Sequence, residues 1–339
     1  MINVHLSGRG ADPASLDTVK MMRTDELTLA LVEAAIRAPS SHNTQPWRFR
    51  IGQEYIDLCA DRSRSLPVND PQNRELTLSC GCALMNLRVA AAHAGRRATV
   101  ELFPEHGTSD LLARAHLREA EAAGMEAALV PAIERRRTYR KPFASRPVPT
   151  EVLGELQSAA EVEGALLTIV GEVSVRQRIA ALVGEGDARQ WADPAWRWEL
   201  AKWMRPAHRG DGLVVPRFAA AVTGFVVRRL NMGERVGVKD KRLALEAPVL
   251  AVLASGEDGP RAWLDAGQAL QRVLLTACGA GLQAAYLNQP VQVQALRLQL
   301  REALGAAAWP QAVLRIGFPS DEPSPSPRRP LAAVIDCDR

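Results

Sequence analysis

Gly81-Cys-Ala-Leu-Met-Asn-Leu-Arg-Val-Ala-Ala-Ala-His-Ala-Gly95 aligns without a gap on Gly267-Gln-Ala-Leu-Gln-Arg-Val-Leu-Leu-Thr-Ala-Cys-Gly-Ala-Gly281, at a fixed offset of 186 residues. Glycine opens and closes both stretches, and Ala and Leu recur at matching positions between them. Small residues spread over a helix let other helices approach on every side, so the pattern predicts two equivalent helices packed at an internal interface. The first stretch lies in an apolar run, Leu76 to Gly95, but Asn86, Arg88 and His93 interrupt it, and it is read as a buried helix and not a membrane span.

A weaker match extends the duplication. Leu31, Ala34 and Ala35 align on Leu156, Ala159 and Ala160, and strand-like runs follow at 47–51 and 165–169. The offsets, 125 and then 118, make the second copy about seven residues shorter between helix and strand. The rise from 118 to 186 gives it about 68 extra residues after that strand. The chain is therefore read as an α+β pseudo-dimer: an extension at 1–24, a first half at 25–134, and a second half at 135–339 with an insertion at about 172–245. In the first half the pattern predicts helices at 25–37, 73–94 and 124–134, with strands at 47–51, 55–59, 98–103 and 113–118. In the second it predicts helices at 150–160, 262–281 and 292–304, and strands at 165–170, 248–254, 311–316 and 331–335.

The seven residues missing from the second copy are where the first carries Ala38-Pro-Ser-Ser-His-Asn-Thr-Gln-Pro-Trp47. Hydroxyls, carboxamides and free backbone N–H groups meet there between two stiffening prolines, a composition suited to a flat polar ligand. Between the halves stands Arg135-Arg-Arg-Thr-Tyr-Arg140-Lys, and a second basic pair, Arg328-Arg329, follows a Pro/Ser-rich stretch. Clustered guanidinium groups suit phosphate, which they bind in a bidentate fork. A third segment, Ala284-Ala-Tyr-Leu-Asn-Gln-Pro290, reads by itself as a turn before a helix.

Composition narrows the field. A net charge of +4 on 339 residues, with arginines scattered among acids, argues against nucleic acid as a partner. The N-terminus lacks the succession of a signal peptide, and five cysteines fit a reducing compartment, so a cytoplasmic protein with no membrane partner is expected. Cys80 and Cys82 point to different helix faces and are read as buried small residues. No histidine pairs at metal spacing, and neither a Gly-x-Gly-x-x-Gly nor a phosphate-loop motif is present.

Taken together, the Arg136-Arg-Thr-Tyr-Arg140 segment, the Gly317-Phe-Pro319 turn followed by Arg328-Arg329, and the Ser40-Ser-His-Asn-Thr-Gln45 loop resemble the FMN-dependent nitroreductase superfamily. The single copy of each motif is similar to its fused, Acg-type branch. The resemblance implies one FMN at the junction of the halves. Arg136, Arg137, Thr138, Arg328 and Arg329 would hold its phosphate and ribityl end, and Arg140 would face N1–C2=O. Pro39, Ser40, Ser41, Asn43 and Gln45 would contribute from the first half, and Asn288 and Gln289 would pass near N5. It further implies hydride transfer through N5 to a small organic acceptor, with NADPH or NADH as a transient donor and no side-chain acid required. The insertion would form a lid, with His208 and Asp211 as possible proton donors above the flavin, and the chain would be a monomer or weak homodimer. A flavin-sequestering protein with little turnover is the alternative reading.

Overall fold

The computed structural model describes residues 26–105, 110–120, 125–305 and 308–336; the expected extension at 1–24 lies outside them. The first half runs α1 (residues 26–35), β1 (Trp47–Ile51), β2 (Tyr55–Ala60), α2 (Arg74–His93), β3 (Arg96–Leu102), β4 (Leu111–Glu119) and α3 (Val130–Arg135). After it come α4 (Thr150–Glu161) and β5 (Ala165–Ile169), then six further elements. These are α5 (Val173–Ala192), α6 (Pro194–Trp203), β6 (Met204–Arg205), β7 (Leu213–Val214), α7 (Ala220–Arg229) and α8 (Gly233–Leu245). The chain returns through β8 (Val249–Ser255), α9 (Pro260–Gly279), β9 (Gln283–Tyr286), α10 (Gln289–Gln292), α11 (Gln294–Ala303), β10 (Trp309–Gly317) and β11 (Ile335–Asp336).

Two sheets result. One has the order β11-β1-β2-β4-β3, antiparallel except for the parallel β1–β11 pair; the other, β5-β8-β10-β9, is antiparallel throughout. Every residue of β8 is buried, as its uninterrupted Val-Leu-Ala run requires of a central strand. Between the sheets lie α2 and α9, and Leu84, Leu87, Leu264 and Val273 join them to both sheets in one apolar core.

The two glycines that open the matched stretches face each other. A Cβ on Gly81 would stand 2.2 Å from the Leu264 carbonyl oxygen, and a Cβ on Gly267 would stand 2.2 Å from the Leu78 carbonyl oxygen. Since 78 and 264 are also 186 apart, the contact is reciprocal, as a pair of helices related by a local two-fold would make it. Nearly all of α2 is buried, and Cys80 and Cys82 are buried free thiols, as expected from their setting.

Three elements differ from the sequence reading. Residues 125–135 form a 3₁₀ turn followed by a short helix because Pro131 sits at the helix start, where it lacks an N–H to extend the preceding turn. Gln283–Tyr286 is a strand, its alanines drawn into extended form by pairing with β10. Residues 331–333 make a 3₁₀ turn, and the two-residue β11 that follows joins the first sheet beside β1, with Phe49 paired to Ile335.

Candidate functional site

The polar loop between α1 and β1 is held in an unusual backbone form. His42, Asn43 and Gln45 all have positive φ, near 50°, a left-handed conformation that costs non-glycine residues energy unless neighbours fix it. The neighbours come from far along the chain. Asn43 Nδ2 donates to the Pro327 carbonyl (3.1 Å) and the Gly212 carbonyl (3.3 Å), and Gln45 Nε2 donates to the Gly210 carbonyl (2.8 Å). Arg328 wraps the end of α1, donating to the carbonyls of Ile36, Arg37 and Ala38 at 2.7, 2.9 and 3.1 Å.

Beside this loop opens a cavity of about 430 Å³, within the roughly 300–1,000 Å³ usual for ligand sites. Pro39, Ser40 and Ser41 line it from the first half; Thr138, Arg140, Asn288 and Gln289 line it from the second. A smaller cavity of about 60 Å³ shares Pro39, Ser40, Thr138 and Arg140 with the large one and adds Asn43, Arg136, Arg137 and Arg328. Eleven of the thirteen residues singled out from the sequence thus meet at two adjoining hollows. The segment 136–140 reaches them because it runs beside β9: Tyr139 N donates to the Ala284 carbonyl at 2.8 Å.

Gln45 and Arg329 line neither cavity. Gln45 is fully buried and accepts the Arg329 N–H at its Oε1 (2.9 Å). The Arg329 guanidinium turns to the carbonyls of Gln45, Trp47 and Ala333 and toward Asp61, so it clamps the loop onto β1 from behind. His208 and Asp211 are also absent from the cavities: Asp211 is buried against Arg64 and Arg205, and His208 lies exposed in the turn Ala207–Arg209.

The smaller hollow is strongly cationic. Arg136 is buried, its Nη2 donates to the Arg37 carbonyl (3.1 Å), and its Nε has no protein acceptor; the Nε of Arg137 is likewise buried and unpartnered. Burial together with Arg136, Arg137 and Arg37 brings the Arg328 pKa down to about 9, showing how poorly these charges compensate one another.

Residues that the sequence did not mark complete the larger hollow. Glu75, buried in the first turn of α2, accepts from Ser41 Oγ (2.6 Å), Asn288 Nδ2 (3.1 Å) and Gln292 Nε2 (3.0 Å), tying both halves to one carboxylate. In the sequence it is indistinguishable from the acid that commonly opens a helix. His42 is held neutral, its pKa lowered by burial to about 4, and its Nδ1 has no acceptor. Two further acids, Asp187 of α5 and Asp240 of α8, accept from Gln289 Nε2 at 3.2 and 3.0 Å. Burial, with the neighbouring Asp240 charge, raises Asp187 to about 7. Gly186 lets α5 lie against this segment, since a Cβ there would come within 2.5 Å of the Gln289 Cβ. Trp191, Trp196 and Leu200 add an apolar wall. Cys82 also lines the hollow, but burial pushes its thiol up to about 12, which removes it as a nucleophile. Among the described residues no group of three or more His, Cys, Asp or Glu is placed to hold a metal ion.

No family model matches the chain. Comparison with known proteins does find relatives along almost its whole length. One from Mycobacterium tuberculosis (strain ATCC 25618 / H37Rv), named "Putative NAD(P)H nitroreductase Rv3131", is 32% identical over 339 residues, covering 96% of this chain and 95% of its own. The chain belongs to the NAD(P)H nitroreductase family. A second relative from the same organism, "Putative NAD(P)H nitroreductase acg", is 30% identical over 333 residues, covering 93% of this chain and 96% of its own. Among solved structures, nitroreductase A from Vibrio parahaemolyticus matches with a TM-score of 0.41 and 16% identity, over 62% of this nitroreductase-family chain and 76% of that one. No described helix of the chain is long and apolar enough to cross a membrane.

Proposed function

We propose that this chain binds one FMN across the junction of its halves and acts as an oxidoreductase, carrying reducing equivalents from NADPH or NADH to a small organic acceptor. One observation carries the reading: a ligand-sized hollow lined from both sides of the chain adjoins, across Pro39, Ser40, Thr138 and Arg140, a small pocket lined by Arg136, Arg137 and Arg328. That donor set fits the group. The unpartnered Nε–H groups of Arg136 and Arg137 suit a phosphate, and the larger hollow offers hydroxyl, carboxamide and apolar surface for a flat ring. Hydride transfer through N5 is the chemistry a bound flavin supplies.

The protein's part is to bind, charge and enclose. Arg136, Arg137 and Thr138 would hold the phosphate end, with Arg328 shaping the pocket mainly by clamping α1 and the loop. Arg140 would place a fixed cation at the pyrimidine edge, where it favours the reduced, more negative ring. Ser41 and Asn288 would be set in place by Glu75, Ser40 by the Gln45 N–H that its hydroxyl accepts, and Gln289 by Asp187 and Asp240. Gln45 and Arg329 would act from behind the loop without touching the ligand. The halves would correspond to 25–134 and 135–339, with the insertion at about 172–245 covering the site and restricting water and large substrates. A monomer or weak homodimer is consistent with this plan, because both halves of the site would come from one chain.

A second reading, flavin sequestration with little turnover, is favoured by the apolar wall that Trp191, Trp196 and Leu200 bring to the hollow. The deciding experiment has two parts. The visible spectrum of the purified protein, with FMN titration, should show stoichiometric flavin. Steady-state reduction of a nitroaromatic or quinone with NADPH and NADH should then show turnover. Full flavin occupancy without turnover would establish sequestration, and failure to bind FMN would overturn both readings.

A further inference from the structure

The whole-chain charge of +4 conceals a division. Residues 202–242 carry ten Lys or Arg against three Asp or Glu, a balance of +7, which leaves the rest of the chain at −3. Of the three acids, Asp211 is buried against Arg64 and Arg205, and Asp240 lines the cavity, so Glu234 is the one that faces outward. Arg209, Arg217, Arg229 and Arg235 are all exposed.

Within this basic segment α7 carries its apolar residues on both faces. Its inner face packs normally: Val227, 2% exposed, joins Trp191, Trp196 and Leu200. Its outer face should be polar, yet Phe218 in the turn leading into α7 is 90% exposed, Val222 65% and Phe225 62%. Spacings of four and three residues align these on one stripe. Val214 and Trp198 are also exposed nearby in sequence, and Arg228 and Arg229 lie over the Trp198 and Phe225 rings, 4.6 and 5.8 Å from the centroids. Large apolar side chains grouped in this way on a surface mark an interaction site.

We infer that the outer face of α7 is a peripheral docking surface for an anionic lipid bilayer, with Phe218, Val222 and Phe225 entering the acyl boundary and the surrounding arginines meeting the headgroups. Aromatic and aliphatic residues on one face, flanked by arginine, are what a helix lying in the membrane interface requires. Charge argues against a second copy as the occupant, because self-association through this face would set Arg217, Arg228 and Arg229 against the same arginines of the other copy. The apolar centre argues against nucleic acid, whose backbone would pair with the arginines and leave Phe218 uncovered. This departs from the sequence expectation of no membrane partner; surface attachment needs no spanning helix.

Sedimentation with vesicles tests this. Purified protein is mixed with phosphatidylcholine vesicles, or with vesicles containing about 30% phosphatidylglycerol, at low and high salt, alongside the F218S/F225S and R217Q/R229Q variants. Protein should pellet with the anionic vesicles and stay in solution with the neutral ones, and the high-salt partition coefficient should fall about tenfold. F218S/F225S should lose at least tenfold in partitioning with an unchanged circular dichroism spectrum, and R217Q/R229Q should weaken binding to anionic vesicles selectively. The wild-type lipid and salt comparisons decide the matter even if a variant misfolds. No pelleting, or equal pelleting with neutral vesicles, would overturn the inference. So would a concentration-dependent dimer in ultracentrifugation that F218S/F225S abolishes while vesicle binding is absent.

Discussion

Replacing Gly81 with alanine should break the close approach of α2 to α9. The new Cβ would lie 2.2 Å from the Leu264 carbonyl oxygen and 2.9 Å from the Gly267 Cα, both backbone atoms that cannot rotate aside. Restoring ordinary contact requires α2 and α9 to separate by roughly 1 Å over a seam that includes Leu78, Cys82, Leu264 and Leu270. Overpacking of this kind costs about 1–3 kcal/mol, and a backbone collision belongs at the upper end. The helix-propensity gain of alanine over glycine, about 1 kcal/mol, offsets part of it, so a net loss of about 2 kcal/mol is expected. Gly267→Ala should cost about the same, because its Cβ meets Leu78 in the mirror contact. The double variant should cost clearly less than the sum, since one separation of the helices relieves both collisions. Gly154, on the exposed side of α4 with nothing within 4 Å of a Cβ, serves as the control: Gly154→Ala should stabilise by about 0.5–1 kcal/mol. Urea unfolding followed by circular dichroism measures all four proteins. If Gly81→Ala behaves like Gly154→Ala, or if the two interface substitutions add fully, the reasoning from the reciprocal α2–α9 contact is refuted.

Two further outcomes follow from the site. Arg136→Ala and Arg137→Ala should each weaken FMN binding about tenfold or more by removing a charge-assisted contact worth roughly 1.5–3 kcal/mol, whereas Arg329→Ala should lower the unfolding midpoint and leave affinity nearly intact; fluorescence titration with FMN separates the two classes, and equal losses of affinity would contradict the assignment. Asp187 has its pKa raised from 3.8 to about 7, so folding favours the protonated acid and the penalty for ionising it grows as pH rises from about 4 to about 7, then levels off. Asp187→Asn should therefore stabilise the protein at pH 8 by up to about 4 kcal/mol and hardly at all at pH 4, a difference that urea unfolding at the two pH values will read; an equal effect at both would refute it.

Much of the fold could be read because its decisive residues are periodic. The Gly, Ala and Leu positions of α2 and α9 can satisfy no environment but a tightly packed helix pair, and the β8 run can only be a central strand. The arginines and the polar loop, read from their composition as one ligand's contacts, line two hollows that share Pro39, Ser40, Thr138 and Arg140. What escaped depended on position across the chain. Glu75 looks like any acid at a helix start until Ser41, Asn288 and Gln292 converge on it. Gln45 and Arg329 have the right chemistry for a ligand, but backbone carbonyls claim them first. Asp187 and Asp240 lie on α5 and α8, two helices that the sequence reading does not include, and only packing brings them to the Gln289 carboxamide.

The pairing of β1 with β11 has a consequence for how the chain is made. During synthesis the ribosome releases β1, β2, β3 and β4 long before residue 335, so the N-terminal sheet must wait with an open edge on β1 until nearly all of the remaining described chain has emerged. The loop that carries Ser40 to Gln45 waits with it, because the carbonyls and arginines that hold its left-handed residues lie at 210–212 and 327–329. The ligand hollow therefore cannot mature one half at a time as the polypeptide grows, and a nascent chain halted before residue 327 would present an exposed strand edge and an unformed binding loop to chaperones and proteases.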